Sequence, residues 1–94
     1  RDFIYIDDVV TAIILAMNSS ESNTYNIASG TSTSIIDLAK IMIALSEKPL
    51  DIIFKPARSG DILSSVSDAS LAKTSLQFIP ETSLIDGLKQ FLFK

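Results

Sequence analysis

The chain contains no cysteine and no histidine. The first absence excludes disulfides and thiolate metal sites. The second removes the commonest general base and the commonest metal ligand. Glycine is scarce: Gly30, Gly60 and Gly87 stand alone, tens of residues apart. A glycine-rich phosphate-binding turn needs several glycines within a few residues, so that backbone can approach a pyrophosphate. None can be built here. No apolar run approaches the roughly 20 residues that span a bilayer. No leader pattern of a basic stretch followed by an apolar one opens the chain. The first residue is Arg rather than Met, and a piece cut from a longer polypeptide is expected. A cytoplasmic origin fits, with no membrane partner. The net charge of −3 argues against a nucleic-acid surface.

What is present is apolar. Hydrophobic residues make up 47% of only 94 residues. A chain this short buries about 60–65% of its unfolded surface, and surplus apolar surface on a small body belongs to an interface. Arg1–Ile6 alternates as a short strand. Asp7 or Asp8 is expected to cap a helix that runs to Met17 or Asn18, with Val9, Val10, Ile13, Ile14, Ala16 and Met17 at helical spacing. Thr24–Ala28 suggests a second strand closed by Ser29-Gly30. Ser34, with Asp37 three residues on, starts a helix to about Ser46. That helix is apolar nearly all round, so a packing partner outside the chain is expected. Asp51–Lys55 suggests a third strand, and 56–67 is irregular. Asp68 starts a short helix with Leu71, Ala72 and Leu76. Pro80 breaks the chain, and Ser83 caps a last helix. The expected fold class is α/β, a small mixed domain with a short sheet and about four helices.

Only two arginines occur, each opening a motif: Arg1-Asp2-Phe3-Ile4-Tyr5-Ile6-Asp7-Asp8 and Arg58-Ser59-Gly60-Asp61-Ile62. A guanidinium is a rigid, permanently charged fork that matches phosphate oxygens. No catalytic set accompanies them. Serines have no histidine to activate them. Ser70 and Lys73 form one Ser-x-x-Lys spacing, read as ordinary helix surface. Asp7 and Asp8 as a metal pair would point apart, since a hard cation wants converging oxygens.

The run RDFIYIDDVV, then YNIASG, RSGDILSSVSD and SLIDGLKQF, resembles the extended short-chain dehydrogenase/reductase family. These are NAD-dependent nucleotide-sugar epimerases and dehydratases. The resemblance covers essentially the whole chain. It implies that residues 1–94 are the C-terminal, substrate-binding portion of an NAD(P)-binding Rossmann-type epimerase. The form Arg-Ser-Gly-Asp is closer to epimerases acting on UDP-glucose and UDP-galactose than to dehydratases. In that family Arg1 and Arg58 would reach the diphosphate of a UDP-sugar. Asp61 would accept from the ribose hydroxyls, with Gly60 letting the loop come close. Phe3 and Ile35 would line the nucleoside, and Ser65 would sit near the substrate. Alternatives stay open: Asp61 as a turn cap, Phe3 and Ile35 as plain core, and Arg1 frayed at a chain end. The family's catalytic tyrosine has a lysine four residues on, but Tyr5 is followed at that spacing by Val9 and Tyr25 by Ser29. Catalytic residues and the NAD site are therefore expected in an N-terminal Rossmann domain outside this chain, in a homodimeric parent. A dehydratase or decarboxylase of the family, or a non-catalytic binding module, is the alternative.

Overall fold

The computed structural model describes residues 1–93. Four helices are found among them: α1 (Ile6–Met17), α2 (Ile35–Ser46), α3 (Ser70–Leu76) and α4 (Leu84–Leu92). Their starts are partly chemical. The Ser34 hydroxyl accepts from the Asp37 N–H at 3.1 Å, and the Ser83 hydroxyl accepts from the Asp86 N–H at 3.1 Å. Each satisfies one of the N–H groups left free in a first helical turn. Asp68 does the same for Ser70 at 2.9 Å, from the residue before the N-cap Ala69 of α3. The ends of α2 and α3 are closed by left-handed residues that are not glycine, Glu47 and Gln77. After α3 the Phe78 N–H returns to the Ala72 carbonyl at 3.2 Å, the long bond of a Schellman closure. That turn drives Phe78 inward.

Two expectations are corrected. Asp7 and Asp8 do not cap α1. The helix starts one residue earlier, at Ile6, and its N-cap Tyr5 makes no side-chain cap bond. Asp8 instead turns inward, only 5% exposed. Its two oxygens accept from the Glu81 and Thr82 N–H groups at 3.2 and 3.0 Å. It ties α1 to the segment entering α4. The expected sheet is also absent among the described residues. Residues 1–6, 24–28 and 51–55 form no strand, and the single extended pairing is an antiparallel bridge between Asp2 and Ser32. Alternating β-branched residues favour extended backbone, but a strand exists only with a neighbour to take its hydrogen bonds. These segments find almost none within the chain.

The core is small. Ala12, Ala72, Leu76 and Phe78 are buried together, with Ile4, Leu15, Tyr25 and Ile27 packed on them. This joins α1 to α3. α2 packs on α4 instead. Tyr5 stands between the two pairs. Its hydroxyl donates to Gln90 Oε1 at 2.9 Å, and its ring lies where a Cβ on Gly87 would come within 3.0 Å. The molecule is a slab of 50 × 33 × 16 Å. Its radius of gyration is 16.0 Å, where a compact chain of this length has about 12 Å. It exposes 7437 Å², against about 5,300 Å² for a compact monomer of its mass. A body one layer thick cannot bury both faces of its helices.

The uncovered surface is apolar. No residue of α2 is buried. On α1 the apolar side chains divide. Ala12 and Leu15 face the core, while Ile6, Val10, Ile13, Ile14 and Met17 are 46–77% exposed. Those five recur at helical spacing and form one stripe. Most of the apolar pattern legible in α1 thus belongs to its outward face.

Candidate functional site

The two arginine motifs lie far apart in sequence and meet in space. Arg1–Asp2–Phe3 runs antiparallel to 31–33. The Arg1 amino nitrogen donates to the Thr33 carbonyl at 3.0 Å, and the Thr33 N–H donates to the Arg1 carbonyl at 2.8 Å. Both backbone polar groups of Arg1 are therefore held by one residue. Its guanidinium Nη2 donates to the Ile62 carbonyl at 3.1 Å. That bond draws the end of the second motif against the first.

The second motif is a closed turn. The Arg58 N–H donates to Asp61 Oδ2 at 2.9 Å, and the Asp61 N–H donates to the Arg58 carbonyl at 3.2 Å. Gly60, at φ +86°, takes the left-handed conformation that lets four residues close. A Cβ there would meet nothing within 4 Å, so the demand for glycine is conformational rather than steric. Of the two readings of Asp61, the turn cap is the one the geometry holds. The cap occupies one oxygen and fixes the carboxylate, and Arg58 itself is exposed with its side chain free of protein hydrogen bonds among the described residues.

The remaining candidates fall around this junction or outside it. Phe3 is half-buried and lines two clefts. One, of about 380 Å³, is polar-walled, with Ser29, Thr31, Thr33, Glu81 and Thr82. The other, of about 420 Å³, runs between α2 and α4 along Tyr5, Leu38, Met42, Leu84 and Phe91. Ile35 is 60% exposed at the first position of α2, two residues beyond Thr33. It is not core in this chain. Ser65 lies exposed in the irregular segment 47–69 and makes no protein hydrogen bond among the described residues. Ser70 and Lys73 line a third cleft of about 640 Å³ with Ser29, Gly30 and Phe78. The Ser70 N–H donates to Asp68, and among the described residues no side-chain hydrogen bond joins Lys73 to Ser70.

One residue at the junction was not singled out by sequence. Asp2 accepts from the Ser29 N–H at 2.8 Å and the Ser29 hydroxyl at 2.5 Å through Oδ1, and from the Gly30 N–H at 2.9 Å through Oδ2. Burial pushes this carboxyl up. The Ser29 and Gly30 donors outweigh it and hold Asp2 below its ordinary value. Gly30, at φ +81°, turns its N–H toward the carboxylate. The available signal was the Ser29-Gly30 pair itself: a tight turn leaves N–H groups that need an acceptor.

None of the glycines fits a dinucleotide. Gly30 is engaged by Asp2, Gly60 sits in the Arg58–Asp61 turn, and Gly87 lies inside α4 against Tyr5. Among the described residues no glycine-rich turn opens a helix, so they do not build the pyrophosphate-cradling turn of a dinucleotide site. Among the described residues no group of three or more carboxylates is placed to hold a metal, and no helix is long and apolar enough to cross a membrane.

The GDP-mannose 4,6 dehydratase family model matches residues 1–91, and the chain belongs to that family. Among curated proteins it is similar to the dTDP-L-rhamnose 4-epimerase of Burkholderia thailandensis, 36% identical over 94% of this chain and 25% of that protein. Among solved structures it is similar to the UDP-glucose 4-epimerase of Thermotoga maritima with UDP-glucose. There the TM-score is 0.90 at 37% identity, over 95% of this chain and 29% of that one. It is also similar to the UDP-glucose 4-epimerase of Bifidobacterium longum in complex with NAD⁺ and UDP. There the TM-score is 0.83 at 25% identity, over 94% of this chain and 27% of that one. The chain spans about a quarter of the length of the curated relatives it matches. Similarity at that TM-score means that the open arrangement of helices is the one such epimerases hold within a much larger body.

Proposed function

We propose that the chain is the nucleotide-sugar-binding, C-terminal part of an NAD-dependent sugar 4-epimerase, with a UDP-sugar as substrate. The observation that carries the reading is the Arg1–Ile62 hydrogen bond. It joins the two arginine motifs at one edge, so that two forks can serve one diphosphate. Two adjacent phosphates carry charge that a partly closed site must neutralise, and an acidic chain offers only these two arginines. In this reading Arg1 and Arg58 bind the diphosphate. The Asp61 oxygen left free by the turn accepts from the ribose. Phe3 and Ile35 flank the nucleoside, and Ser65 approaches the sugar.

The redox chemistry would belong to the rest of the polypeptide, where an N-terminal Rossmann domain would hold NAD as the hydride carrier. The residues here bind and orient. Binding energy taken up at the remote diphosphate holds the sugar in a reactive pose. The exposed stripe of α1 and the unburied α2 suit packing against that domain, in a cytoplasmic homodimer.

The 36% identity to a dTDP-sugar epimerase favours a second reading in which the nucleotide is dTDP. Incubating the full-length protein with UDP-glucose, UDP-glucuronate and dTDP-L-rhamnose, and resolving the products chromatographically, tests both. Interconversion of UDP-glucose and UDP-galactose is expected. Turnover of the dTDP-sugar alone would favour the second reading, and turnover of none would refute the epimerase assignment.

A further inference from the structure

The Asp2 carboxylate holds three donors of the protein. Ser29 gives it an N–H and a hydroxyl, and Gly30 gives it a second N–H. Both of its oxygens are bonded to the Ser29–Gly30 turn, and it sits beside the residue proposed to grip phosphate. Among the described residues few other bonds hold the segment it belongs to. Arg1–Phe3 joins the chain through one antiparallel bridge, at Asp2 and Ser32, flanked by the two Arg1–Thr33 bonds. Pairing this short specifies register poorly. A slip of one residue turns every side chain to the opposite face. Here such a slip would replace the Arg1 guanidinium by the Asp2 carboxylate opposite the 58–62 turn, an acceptor facing the Ile62 carbonyl and a negative charge facing any anion.

We propose that Asp2 is a positioning residue for nucleotide-sugar binding: by clamping the Ser29–Gly30 turn it fixes the register of residues 1–3, and so aims Arg1 at the diphosphate. The proposal rests on the reading of Arg1 as a phosphate ligand. Three donors on one carboxylate make the clamp directional, and charged acceptors make each bond stronger than a neutral one. The clamp also tethers Phe3, the next residue, at the mouth of its two clefts.

The test is a double-mutant cycle in the full-length protein, with UDP as the titrated probe and NAD affinity and melting temperature read alongside. Asp2→Asn keeps an acceptor for Ser29 and loses the one that serves Gly30. It is expected to weaken UDP binding roughly threefold to tenfold when Arg1 is present, and less than about twofold when Arg1 is already alanine. Ser29→Ala, which removes only the hydroxyl donor, is expected to act in the same direction with smaller size and the same dependence on Arg1. NAD affinity should be unchanged in all. Equal losses with and without Arg1 would overturn the proposal, because Asp2 would then act on the fold at large. No loss from Asp2→Asn, with Arg1→Ala still damaging, would overturn it while leaving the phosphate role of Arg1 intact. No loss from Arg1→Ala itself would overturn both the proposal and the reading beneath it.

Discussion

Replacing Asp8 by alanine should destabilise the protein without altering what it binds. Asp8 is nearly fully buried, and its two oxygens take the N–H groups of Glu81 and Thr82. Those bonds fix the chain just ahead of the Ser83 cap of α4. A hydrogen bond to a charged group contributes about 1.5–3 kcal/mol. Glu81 is itself exposed and Thr82 half-buried, so water can reach part of what the alanine leaves free. The lower end of the range then applies to each bond, about 3 kcal/mol for the pair. In a protein of a few hundred residues, 1 kcal/mol shifts the melting temperature by about 2–4 °C. A drop on the order of 6–12 °C is expected by differential scanning calorimetry of the full-length protein. Asp8→Asn, which keeps one acceptor and turns an NH₂ toward the other N–H, should fall between. UDP affinity at low temperature should stay within about twofold of wild type, since the Asp8 carboxylate bonds only the Glu81 and Thr82 N–H groups and neither arginine. A melting temperature within about 1 °C of wild type would refute the clamp, because no burial of a twice-bonded carboxylate is that inconsequential.

Two further outcomes follow from the same geometry. Asp68 is held below its ordinary value by the Ser70 N–H, then by the Ser70 side chain, and Asp2 is held low by Ser29 and Gly30 against the opposing effect of burial. A depressed carboxylate contributes stability that is complete above its unfolded value and is lost as pH falls through its folded value. Stability measured by denaturant titration should therefore decline as pH falls below about 4, and Asp68→Asn together with Asp2→Asn should flatten that decline; an unchanged slope would contradict the assignment. The isolated chain should self-associate through the α1 stripe and α2, and Ile13→Lys with Met17→Lys should reduce it; sedimentation showing a monomer before and after the changes would count against an uncovered interface.

Helices were legible because their signals are local. Ser34 and Ser83 each precede an acidic third residue, and both cap as expected. Strands were not, because alternation of apolar residues records a preference and not a partner. Residues 51–55 have the composition of a strand, but Ile53 and Phe54 are 79% and 77% exposed. Among the described residues such segments find no partner beyond the Asp2–Ser32 bridge. Asp8 shows a second limit. An acidic residue at a helix start favours the N-terminus wherever it sits, so sequence cannot tell a cap from a carboxylate aimed at a segment more than seventy residues away. At the site, the arginines were legible by scarcity and motif, and their meeting through Ile62 was not. Asp2 escaped notice because its function depends on a turn twenty-seven residues distant.

The most direct measurement is a titration of UDP into the full-length protein, wild type and Arg58→Lys. The charge is kept and the planar fork is lost. A charge-assisted hydrogen bond contributes about 1.5–3 kcal/mol, so UDP affinity is expected to fall about tenfold to a hundredfold, with NAD affinity unchanged. A surface arginine predicts less than about 0.5 kcal/mol for the same change. Equal UDP affinities in wild type and Arg58→Lys would contradict the assignment of this edge as the diphosphate site.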